Sequence, residues 1–345
     1  MRDERVDRVR AVIEAPLLVT KPVNVLYLTG LDSSNAALLV EPDRARLFTD
    51  FRYLEKARLL GLEVVEIPRN LFGELPSHLP PRVEFEAETL TYSSWAALQA
   101  GGIELVPRSE LLEHVRAVKE PGELDAIRAA AAITDECFSR LAEERFTGRT
   151  EKDIAWWLES QMHELGADGP AFEVIVAAGA NGASPHASTG DRVIPPGTTV
   201  VVDAAARLDG YCSDCTRTFA TGALPDELAR SYDVCLAAQQ AALAEVRAGA
   251  AGQAVDAVAR ERIAAEGLGE LFGHGLGHGV GMEIHELPRL RPESEDVLPA
   301  GGVCTVEPGI YHPGLGGIRI EDLVIVGEDG PEVLSPFTKE LVYVP

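Results

Sequence analysis

A glycine-rich segment with three histidines, residues 272–286, constrains this chain more than any other stretch. It reads FGHGLGHGVGMEIHE and contains five glycines. Each interior glycine destabilises a helix by roughly 1 kcal/mol relative to alanine, so the segment is not an ordinary helix. Glycine at this density suits a backbone that passes close to another part of the molecule. We therefore expect a segment that presents His274, His278 and His285 to a site; the alternative is a glycine-rich loop with incidental histidines.

Composition and charge exclude several classes of protein. The chain has 345 residues, 46% of them hydrophobic and 25% charged, as in a globular protein of one large domain or two. No apolar run approaches the roughly 20 residues that cross a bilayer. The formal charge of −24 argues against nucleic acid as a partner, because phosphate binding relies on an excess of Lys and Arg. The N-terminus lacks the apolar core of a signal peptide, so we expect a cytoplasmic protein.

The cysteines do not follow the pattern of a secreted disulfide framework. There are five of them, all in the C-terminal two-thirds of the chain, which favours a reducing compartment. Cys212 and Cys215 form a C-x-x-C pair, but no second pair follows and the surrounding residues alternate like a strand. We expect neither a redox centre nor a zinc site at this pair.

Short apolar runs separated by turns predict an α/β unit in the first third of the chain. Helices are expected over 1–15, 53–60 and 92–100, and strands in 15–20, 24–31, 35–42, 45–53, 62–68 and 82–90. This unit shows no metal-ligand spacing and no phosphate-binding loop. A boundary is expected near 112–122, which divides the chain into domains 1–115 and 116–345.

The remainder of the chain is predicted to mix helices and strands, which makes the fold class α+β. Pro121 suits the first turn of a helix, and Thr150 with Asp153 reads as a helix N-cap. Helices are expected from 121, over 150–165, 226–248 and 252–266, and strands within 173–219, one in 301–311 and one in 316–330.

Four carboxylates stand at the ends or in the interiors of the apolar strands. Asp203 and Asp214 are eleven residues apart across a Leu-Asp-Gly-Tyr turn, a spacing that suits the two arms of a β-hairpin. Glu307 follows VCTV, and Glu321 follows GGIRI fourteen residues later. Acids in such places are costly unless a positive charge meets them.

The counter-charge predicted for these acids is a metal. No lysine occurs between positions 153 and 338, and Arg319 offers only a secondary positive charge. Carboxylates with one imidazole form an oxygen-rich set that can hold two divalent ions and favours Mn²⁺ over a cysteine-type zinc site, with Zn²⁺ or Co²⁺ as alternatives. Otherwise the acids are solvated strand residues or partners of Arg207, Arg217 and Arg319.

These motifs together resemble the Xaa-Pro peptidases, prolidase and aminopeptidase P, which share a pita-bread fold with methionine aminopeptidase and creatinase. The resemblance rests on the two aspartates within GYCSDCTRTF and before it, on HGLGHGVGMEIHE, and on VEPGIY and GIRIEDLV. It covers nearly the whole chain, because residues 24–53 resemble a creatinase-type N-terminal domain. It implies such a domain followed by a pita-bread catalytic domain.

The resemblance also implies roles for individual residues. The implied ligands of two metal ions are Asp203, Asp214, His278, Glu307 and Glu321, with Asp214 and Glu321 bridging and Glu307 also moving the proton of the attacking water. His285 matches a substrate-side histidine that stabilises the tetrahedral intermediate, and His186 matches a second histidine lining the pocket; both are predicted to be catalytic together with Glu307. The implied substrate-binding or supporting residues are His274, Arg319 and Tyr211; Arg289, four residues after His285, is a further substrate-binding candidate from its position. His78, His114, His163 and His312 match no site position.

One departure from the family pattern is visible after the first ligand. Relatives usually carry Asp-x-Gly, whereas this chain has Asp203-Ala204-Ala205. Alanine needs more room than glycine and prefers negative φ, so the backbone is expected to approach the substrate slightly differently. The ligand spacings are unaffected.

The predicted activity is metal-assisted hydrolysis of the bond before proline. Arg289 is a candidate cation for the carboxylate of an Xaa-Pro dipeptide, so a proline dipeptidase is favoured, with an Xaa-Pro aminopeptidase acting on longer peptides as the alternative. An inactive binding homologue is a remote alternative, because none of the expected ligands is missing. The resemblance further implies a homodimer.

Overall fold

The computed structural model describes residues 2–345, which divide into two compact units, 1–115 and 116–345. The first unit is built on one mixed six-stranded sheet in the order β4-β3-β2-β1-β5-β6. Its helices are α1 (Arg2–Arg10), α2 (Pro22–Thr29), α3 (Leu54–Arg58), α4 (Leu71–Glu74) and α5 (Tyr92–Ala100). Helix α6 (Leu111–Ala117) runs across the boundary, so its last two residues, from Arg116 on, belong to the second unit. Its strands are β1 (Leu17–Val19), β2 (Ala36–Val40), β3 (Ala45–Thr49), β4 (Glu63–Glu66), β5 (Arg82–Glu86) and β6 (Glu104–Arg108).

Most of the elements predicted in this unit are present, and one prediction is wrong. The expected strand over 24–31 is helix α2, which begins with Pro22 at its first turn and is capped after Thr29 by Gly30, whose φ is 79°. A short apolar run does not distinguish a strand from a buried helix, and here the terminal signals decide. The N-terminal helix also ends at Arg10 rather than near residue 15, and α4 and β6 were not predicted.

The second unit packs two pairs of helices against sheets. The helices are α7 (Pro121–Leu141), α8 (Glu151–Glu164), α9 (Asp226–Leu243) and α10 (Gly252–Ala265). The strands are β7 (Gly169–Pro170), β8 (Ile175–Ala178), β9 (Thr199–Ala204), β10 (Ala206–Leu208), β11 (Tyr211–Cys212), β12 (Cys215–Ala220), β13 (Gly277–Gly279), β14 (Glu286–Leu290), β15 (Val303–Val306), β16 (Gly309–His312), β17 (Gly316–Arg319), β18 (Asp322–Val326), β19 (Pro331–Val333) and β20 (Val342–Tyr343).

Two apolar cores bring the helices and sheets of this unit together. Helices α7 and α8 pack on the sheet β20-β12-β9-β8, where Phe138 and Phe219 stack with their rings parallel. Helices α9 and α10 pack on the sheet β14-β13-β15-β18-β19 and on the hairpin β16-β17. Both sheets are therefore covered on one face by helices, which accounts for the helical and strand periodicities in the sequence.

Two of the predicted strands are in fact four. The region 301–311 breaks between β15 and β16 at Glu307 and Pro308, and the region 316–330 breaks between β17 and β18 at Ile320 and Glu321. Pro308 has no N–H to donate to a strand ladder, which explains the first break. The fold class predicted from the sequence, a mixture of helices and sheets, is confirmed.

Thr150 caps α8 as predicted: its hydroxyl accepts a hydrogen bond from the Asp153 N–H. Pro121 occupies the first turn of α7, also as predicted. Among the helices of residues 2–345, none combines the length and the apolar character needed to cross a bilayer. The five cysteines are all buried and free.

Candidate active site

The hairpin formed by β9 and β12 brings the two aspartates together. Thr216 on β12 pairs with Asp203 on β9, so Asp214, two residues before Thr216, lies at the same end of the hairpin. Successive side chains alternate between faces, so Asp214 and Thr216 share one. One carboxylate oxygen from each of Asp203, Asp214 and Glu321 lies within 4.8 Å of the others.

The two strand breaks bring the glutamates to the same place. Strands β15 and β18 are antiparallel, and Val306 pairs with Asp322 at the end of the ladder. The next residues outward are Glu307 and Glu321, which lie opposite each other where both strands leave the sheet. The Glu321 side chain is 2% exposed and that of Glu307 is 16% exposed. We refer to Asp203, Asp214, Glu307 and Glu321 as the acidic cluster.

His278 reaches this cluster because glycines flank it on β13. A Cβ at Gly277 would lie 2.1 Å from the Thr305 carbonyl oxygen, and one at Gly279 would lie 2.1 Å from that of Leu287. Only glycine permits this close approach to β15 and β14, as the sequence predicted. His278 Nε2 then lies 3.2 Å from Glu307 Oε1 and 3.7 Å from Asp214 Oδ2.

The hydrogen bond made by the other ring nitrogen of His278, Nδ1, fixes the tautomer of the imidazole. Nδ1 lies 3.0 Å from the Gly279 carbonyl oxygen, which can only accept a hydrogen bond, so Nδ1 carries a proton. In the neutral imidazole the lone pair is therefore on Nε2, directed at the acidic cluster. A backbone carbonyl that fixes the tautomer in this way is the usual support for a metal-binding histidine.

The protonation equilibria of the acidic cluster show a shortage of positive charge. Burial, followed by repulsion between the carboxylates, raises the pKa values of Asp214 and Glu321 well above their usual range. Burial also raises the pKa of Asp203, against the attraction of Arg319. Glu307 behaves differently: burial opposes its ionisation, but the hydrogen bond and charge of His278 hold its pKa at about 2.

These residues fit divalent metal ions on three observations. Oxygens of three acids converge within 4.8 Å, and burial, together with repulsion from neighbouring carboxylates, raises the pKa values of those acids. Asp203 Oδ1 is buried and has no hydrogen-bond partner among residues 2–345. Four carboxylates and one imidazole are ligands of the kind that hold hard or borderline divalent cations.

Two threonines that the sequence analysis missed orient the glutamates. The Thr216 hydroxyl donates to Glu321 Oε2 at 2.7 Å, and the Thr305 hydroxyl donates to Glu307 Oε1 at 3.0 Å. Thr305 in turn accepts from the His278 N–H at 3.1 Å. The available signal was spacing: Asp214-x-Thr216 and Thr305-x-Glu307 each place an acid and a threonine on one face of a strand.

Arg319 supports Asp203 from behind. It is 4% exposed, and its Nη2 donates to Asp203 Oδ2 at 2.5 Å. Its Nε donates to the Thr216 hydroxyl, and its Nη1 to the Pro185 carbonyl and the Tyr311 hydroxyl, each at 3.1 Å. All three of its nitrogens are engaged, which favours a supporting role over direct contact with substrate.

His274 extends the same chain of hydrogen bonds. Its Nδ1 lies 2.7 Å from the Gly275 carbonyl oxygen, and its Nε2 lies 3.0 Å from the Tyr311 hydroxyl. Burial lowers the pKa of His274, so the ring is neutral, Nδ1 carries the proton and Nε2 accepts from Tyr311. His274 therefore braces Tyr311 and Arg319 and does not join the acidic cluster.

His285 and His186 are both exposed, on two different loops. The His285 ring stands edge-on to that of His278, with centroids 4.3 Å apart. Burial, followed by the charge of His278, lowers the pKa of His285, so its ring is neutral near pH 7. His186 follows Pro185, the residue whose carbonyl Arg319 holds. It is close enough for its charge also to lower the pKa of His285.

A buried glutamate that the sequence analysis also missed closes the His186 loop. Glu151, whose side chain is fully buried, accepts from the Ala178 N–H at 2.9 Å and from the Gly190 N–H at 3.2 Å. It also accepts from the Asn181 side chain at 2.9 Å. Both ends of the loop are thus fixed by one carboxylate, which no local sequence pattern reveals.

Arg289 and Tyr211, two other predicted substrate-binding residues, interact with acids outside the acidic cluster. Arg289 pairs with His278 across β13 and β14, and its Nη1 lies 3.9 Å from Asp296 Oδ2. Its side chain is 35% exposed. The Tyr211 hydroxyl donates to Glu123 Oε1 at 3.0 Å, at the N-terminus of α7. Of the histidines given no role, His312 is buried against Ser231 and Glu227.

Comparisons with known proteins place these residues in a family context. Residues 125–328 match Metallopeptidase family M24, and residues 5–118 match the Creatinase/Prolidase N-terminal domain. The chain is 35% identical over 347 residues to a Xaa-Pro dipeptidase of Pyrococcus furiosus, covering 99% of this chain and 97% of that one.

Solved structures give the same result. The structure of a Xaa-Pro dipeptidase from Bacillus anthracis matches with a TM-score of 0.96 at 36% identity, covering 100% of both chains. An X-Pro aminopeptidase from Thermotoga maritima matches with a TM-score of 0.89 at 33% identity, covering 98% of this chain and 100% of the other.

Proposed function

This chain belongs to metallopeptidase family M24, and from that premise we propose that it is a proline dipeptidase, hydrolysing the bond before proline in Xaa-Pro dipeptides. The resemblance to Xaa-Pro peptidases predicted from the sequence is confirmed. So is the fold that it implied, a creatinase-type N-terminal domain followed by a pita-bread catalytic domain. The observation that carries the proposal is the convergence of the acidic cluster, His278 and His285.

The metal ligands in this proposal are Asp203, Asp214, His278, Glu307 and Glu321. Manganese suits this oxygen-rich set best, with cobalt or zinc as alternatives. Divalent ions bound here would lower the pKa of a water molecule and polarise the scissile carbonyl group. The chain supplies four carboxylates for them, of which Arg319 neutralises part of one.

Glu307 is the proton carrier in this proposal. Its Oε1 accepts from Thr305 and faces His278, so Oε2 is the oxygen left to take a proton from the attacking water and deliver it to the proline nitrogen. To act as a general base, Glu307 must be ionised before the reaction. The Thr305 hydrogen bond fixes the carboxylate plane, so Oε2 keeps its direction while the proton moves.

His285 and His186 complete the site from the substrate side. The neutral His285 ring has one N–H, which would donate to the carbonyl oxygen as negative charge develops on it. His186 sits on the other exposed loop and would contact the same part of the substrate. Their loops are held by residues outside the acidic cluster, with Arg319 linking the Pro185 carbonyl beside His186 to Asp203.

Substrate length depends on a cation for the proline carboxylate. Arg289 is the proposed cation, because it lies opposite His278 in the strand register and is partly exposed. An Xaa-Pro aminopeptidase is the second candidate, because the chain is also similar to the Thermotoga maritima X-Pro aminopeptidase. The greater similarity to the Bacillus anthracis dipeptidase supports the first.

Family likeness supports two further proposals about organisation. The first is a domain boundary at 115/116, which the division of the structure into two compact units supports. The second is a homodimer, and sedimentation analysis of the purified protein would measure its mass directly.

The test of function is release of proline by the manganese-loaded enzyme. Ala-Pro, Ala-Pro-Ala and the control Ala-Ala would be compared at equal concentrations, together with enzyme treated with a chelator. The expected result is metal-dependent cleavage of Ala-Pro, slower cleavage of Ala-Pro-Ala and none of Ala-Ala. Equal rates on the dipeptide and tripeptide would reject the dipeptidase assignment, and no cleavage of either would reject Xaa-Pro peptidase activity.

A further inference from the structure

The segment that carries His285 is a loop without regular secondary structure. Residues 281–285, between β13 and β14, form a series of bends. The loop has few backbone hydrogen bonds: the Cys212 N–H donates to the Gly281 carbonyl at 2.8 Å, and the Gly281 N–H to that of Glu283 at 3.1 Å. An exposed histidine on such a loop keeps a fixed position only if other residues support the loop.

Glu286, the residue after His285, provides that support with a buried carboxylate. Its side chain is 5% exposed. It accepts from the Glu283 N–H at 3.0 Å, from Lys119 Nζ at 3.1 Å and from the Arg116 guanidinium. A Cβ at Gly281 would lie 2.5 Å from Glu286 Oε2, so the glycine makes room for the carboxylate against the loop.

Arg116 ties both ends of the turn to one guanidinium. Besides Glu286, it donates to Glu283 Oε2 at 3.0 Å. The side chains of Arg116, in the last turn of α6, and of Lys119 are 2% and 1% exposed. We call Arg116, Lys119, Glu283 and Glu286 the ionic cluster. Its two cations and two carboxylates leave no net charge.

The charges within the ionic cluster satisfy one another. Burial raises the pKa of Glu286, but Lys119 and Arg116 outweigh this effect and leave the pKa below its usual value. The carboxylate is therefore ionised, and its charge is used entirely inside the protein. Nothing in this arrangement requires a substrate or a metal; its direct product is a fixed turn at residues 283–286, with His285 in the middle of it.

We infer that Glu286 is a positioning residue, which acts through the ionic cluster to hold His285 where it meets the substrate. The part of this inference that concerns substrate rests on the proposed function. The opposing view, that the ionic cluster only stabilises the fold, predicts lower stability with no effect specific to His285. The two views differ in kinetics and in the local exchange of the loop.

The kinetic test uses Glu286→Gln, which keeps the shape of the side chain and removes its charge. Its matched control is Glu84→Gln in the other unit, since Glu84 is also a buried carboxylate, 2% exposed and paired with Arg108 at 2.7 Å. With Ala-Pro as substrate, Glu286→Gln should lower kcat roughly 10- to 100-fold, the loss that a small misplacement of a catalytic group causes, and change KM by less than about threefold. Glu84→Gln should leave both constants unchanged.

A double variant separates positioning from stability. In a His285→Ala background, Glu286→Gln should lower kcat no further, because the histidine through which it acts is gone. If the two substitutions instead multiply their losses, Glu286 does not act through His285 and the inference is wrong.

A second readout needs neither metal nor activity. In the metal-free protein, the amides of residues 282–286 should exchange with deuterium at least tenfold faster in Glu286→Gln than in the parent chain, and no faster in Glu84→Gln. Unchanged exchange in Glu286→Gln would overturn the inference. If the parent enzyme cleaves no Xaa-Pro peptide, the proposed function fails, and the exchange measurement still decides whether the ionic cluster fixes the loop.

Discussion

The acidic cluster and the ionic cluster both bury carboxylates, yet the pKa values of those carboxylates move in opposite directions. Burial raises the pKa values of Asp214 and Glu321 well above their usual range, and their neighbours, being carboxylates, add to the effect. Glu286 is equally buried, but Lys119 and Arg116 bring its pKa below the usual value. The difference lies in the partners and not in the depth of burial.

This difference indicates that the ionic cluster is structural and that the acidic cluster is a binding site. The ionic cluster contains its own counter-charges and is complete within the chain. Among the described residues, the acidic cluster has four carboxylates against one guanidinium, that of Arg319, and one imidazole, that of His278, so the carboxylates outnumber the positive charges available to them. Buried groups that lack partners in the folded chain are costly, and they persist where a ligand will meet them.

The largest expected effect comes from the one member of the acidic cluster whose pKa is lowered. Glu307→Gln removes the proton carrier while preserving its size, and should reduce kcat on Ala-Pro by roughly 10²–10⁴-fold. Fold and metal binding should survive, since four ligands remain; circular dichroism and metal analysis would check both. Turnover close to that of the parent enzyme would show that Glu307 does not move the proton.

A second prediction concerns a substitution that should stabilise the metal-free protein, whereas most substitutions of buried residues destabilise it. Asp214→Asn relieves repulsion in the acidic cluster, so the metal-free variant should be more stable than the parent at pH 8. The sign follows from the raised pKa of Asp214. The folded protein accommodates a protonated Asp214 better than an ionised one. Its stability is therefore fully present below about pH 4 and is lost as the pH rises through the raised pKa.

The gain in stability should therefore shrink as pH falls toward about 4, where the parent aspartate is protonated in both states. Added manganese at about 100 times its Kd should stabilise the parent by roughly 2.7 kcal/mol and the variant much less. Thermal unfolding at several pH values, with the exposed-site variant Asp329→Asn as control, measures both. If metal-free Asp214→Asn is less stable than the parent at pH 8, the carboxylates of the acidic cluster do not repel one another as proposed.

The smallest expected effect tests the edge of the site. Arg289→Gln should raise KM for Ala-Pro roughly tenfold, as expected for the loss of one charge-assisted hydrogen bond to a carboxylate, and leave Ala-Pro-Ala unchanged. Arg291→Gln, a nearby exposed arginine, is the control. Equal changes in KM for the dipeptide and the tripeptide would show that Arg289 does not bind the proline carboxylate.

Much of the candidate site was predictable because its residues stand in short motifs. Asp203, Asp214, His278, Glu307 and Glu321 were all singled out from the sequence, and the structure brings them together; their role as metal ligands stays a proposal. Helices with clear end signals were also predictable, as at Pro121 and Thr150. The strand prediction over 24–31 failed because its apolar residues suit either a strand or a helix.

The residues that the sequence analysis missed act across long separations. Glu286 meets Arg116 and Lys119, which precede it by about 170 residues, and Glu151 closes a loop some 30 residues away. Thr216 and Thr305 are ordinary strand residues until their hydroxyls are seen to face Glu321 and Glu307. The periodicity of the sequence does not reveal a buried ion pair, because its partners are brought together only in the folded chain.

The sequence by itself determined which chemistry the 272–286 segment supports. Its glycines exclude a helix and allow the backbone to approach neighbouring strands closely. The acids elsewhere, in a region without lysine, predict a metal site. Only the tertiary structure decided how the three histidines differ. His278 faces the acidic cluster, His274 braces Tyr311, and His285 rests on a turn that the ionic cluster holds. The physical reason is that the role of an imidazole depends on what meets its two nitrogens, and those partners come from distant strands and helices.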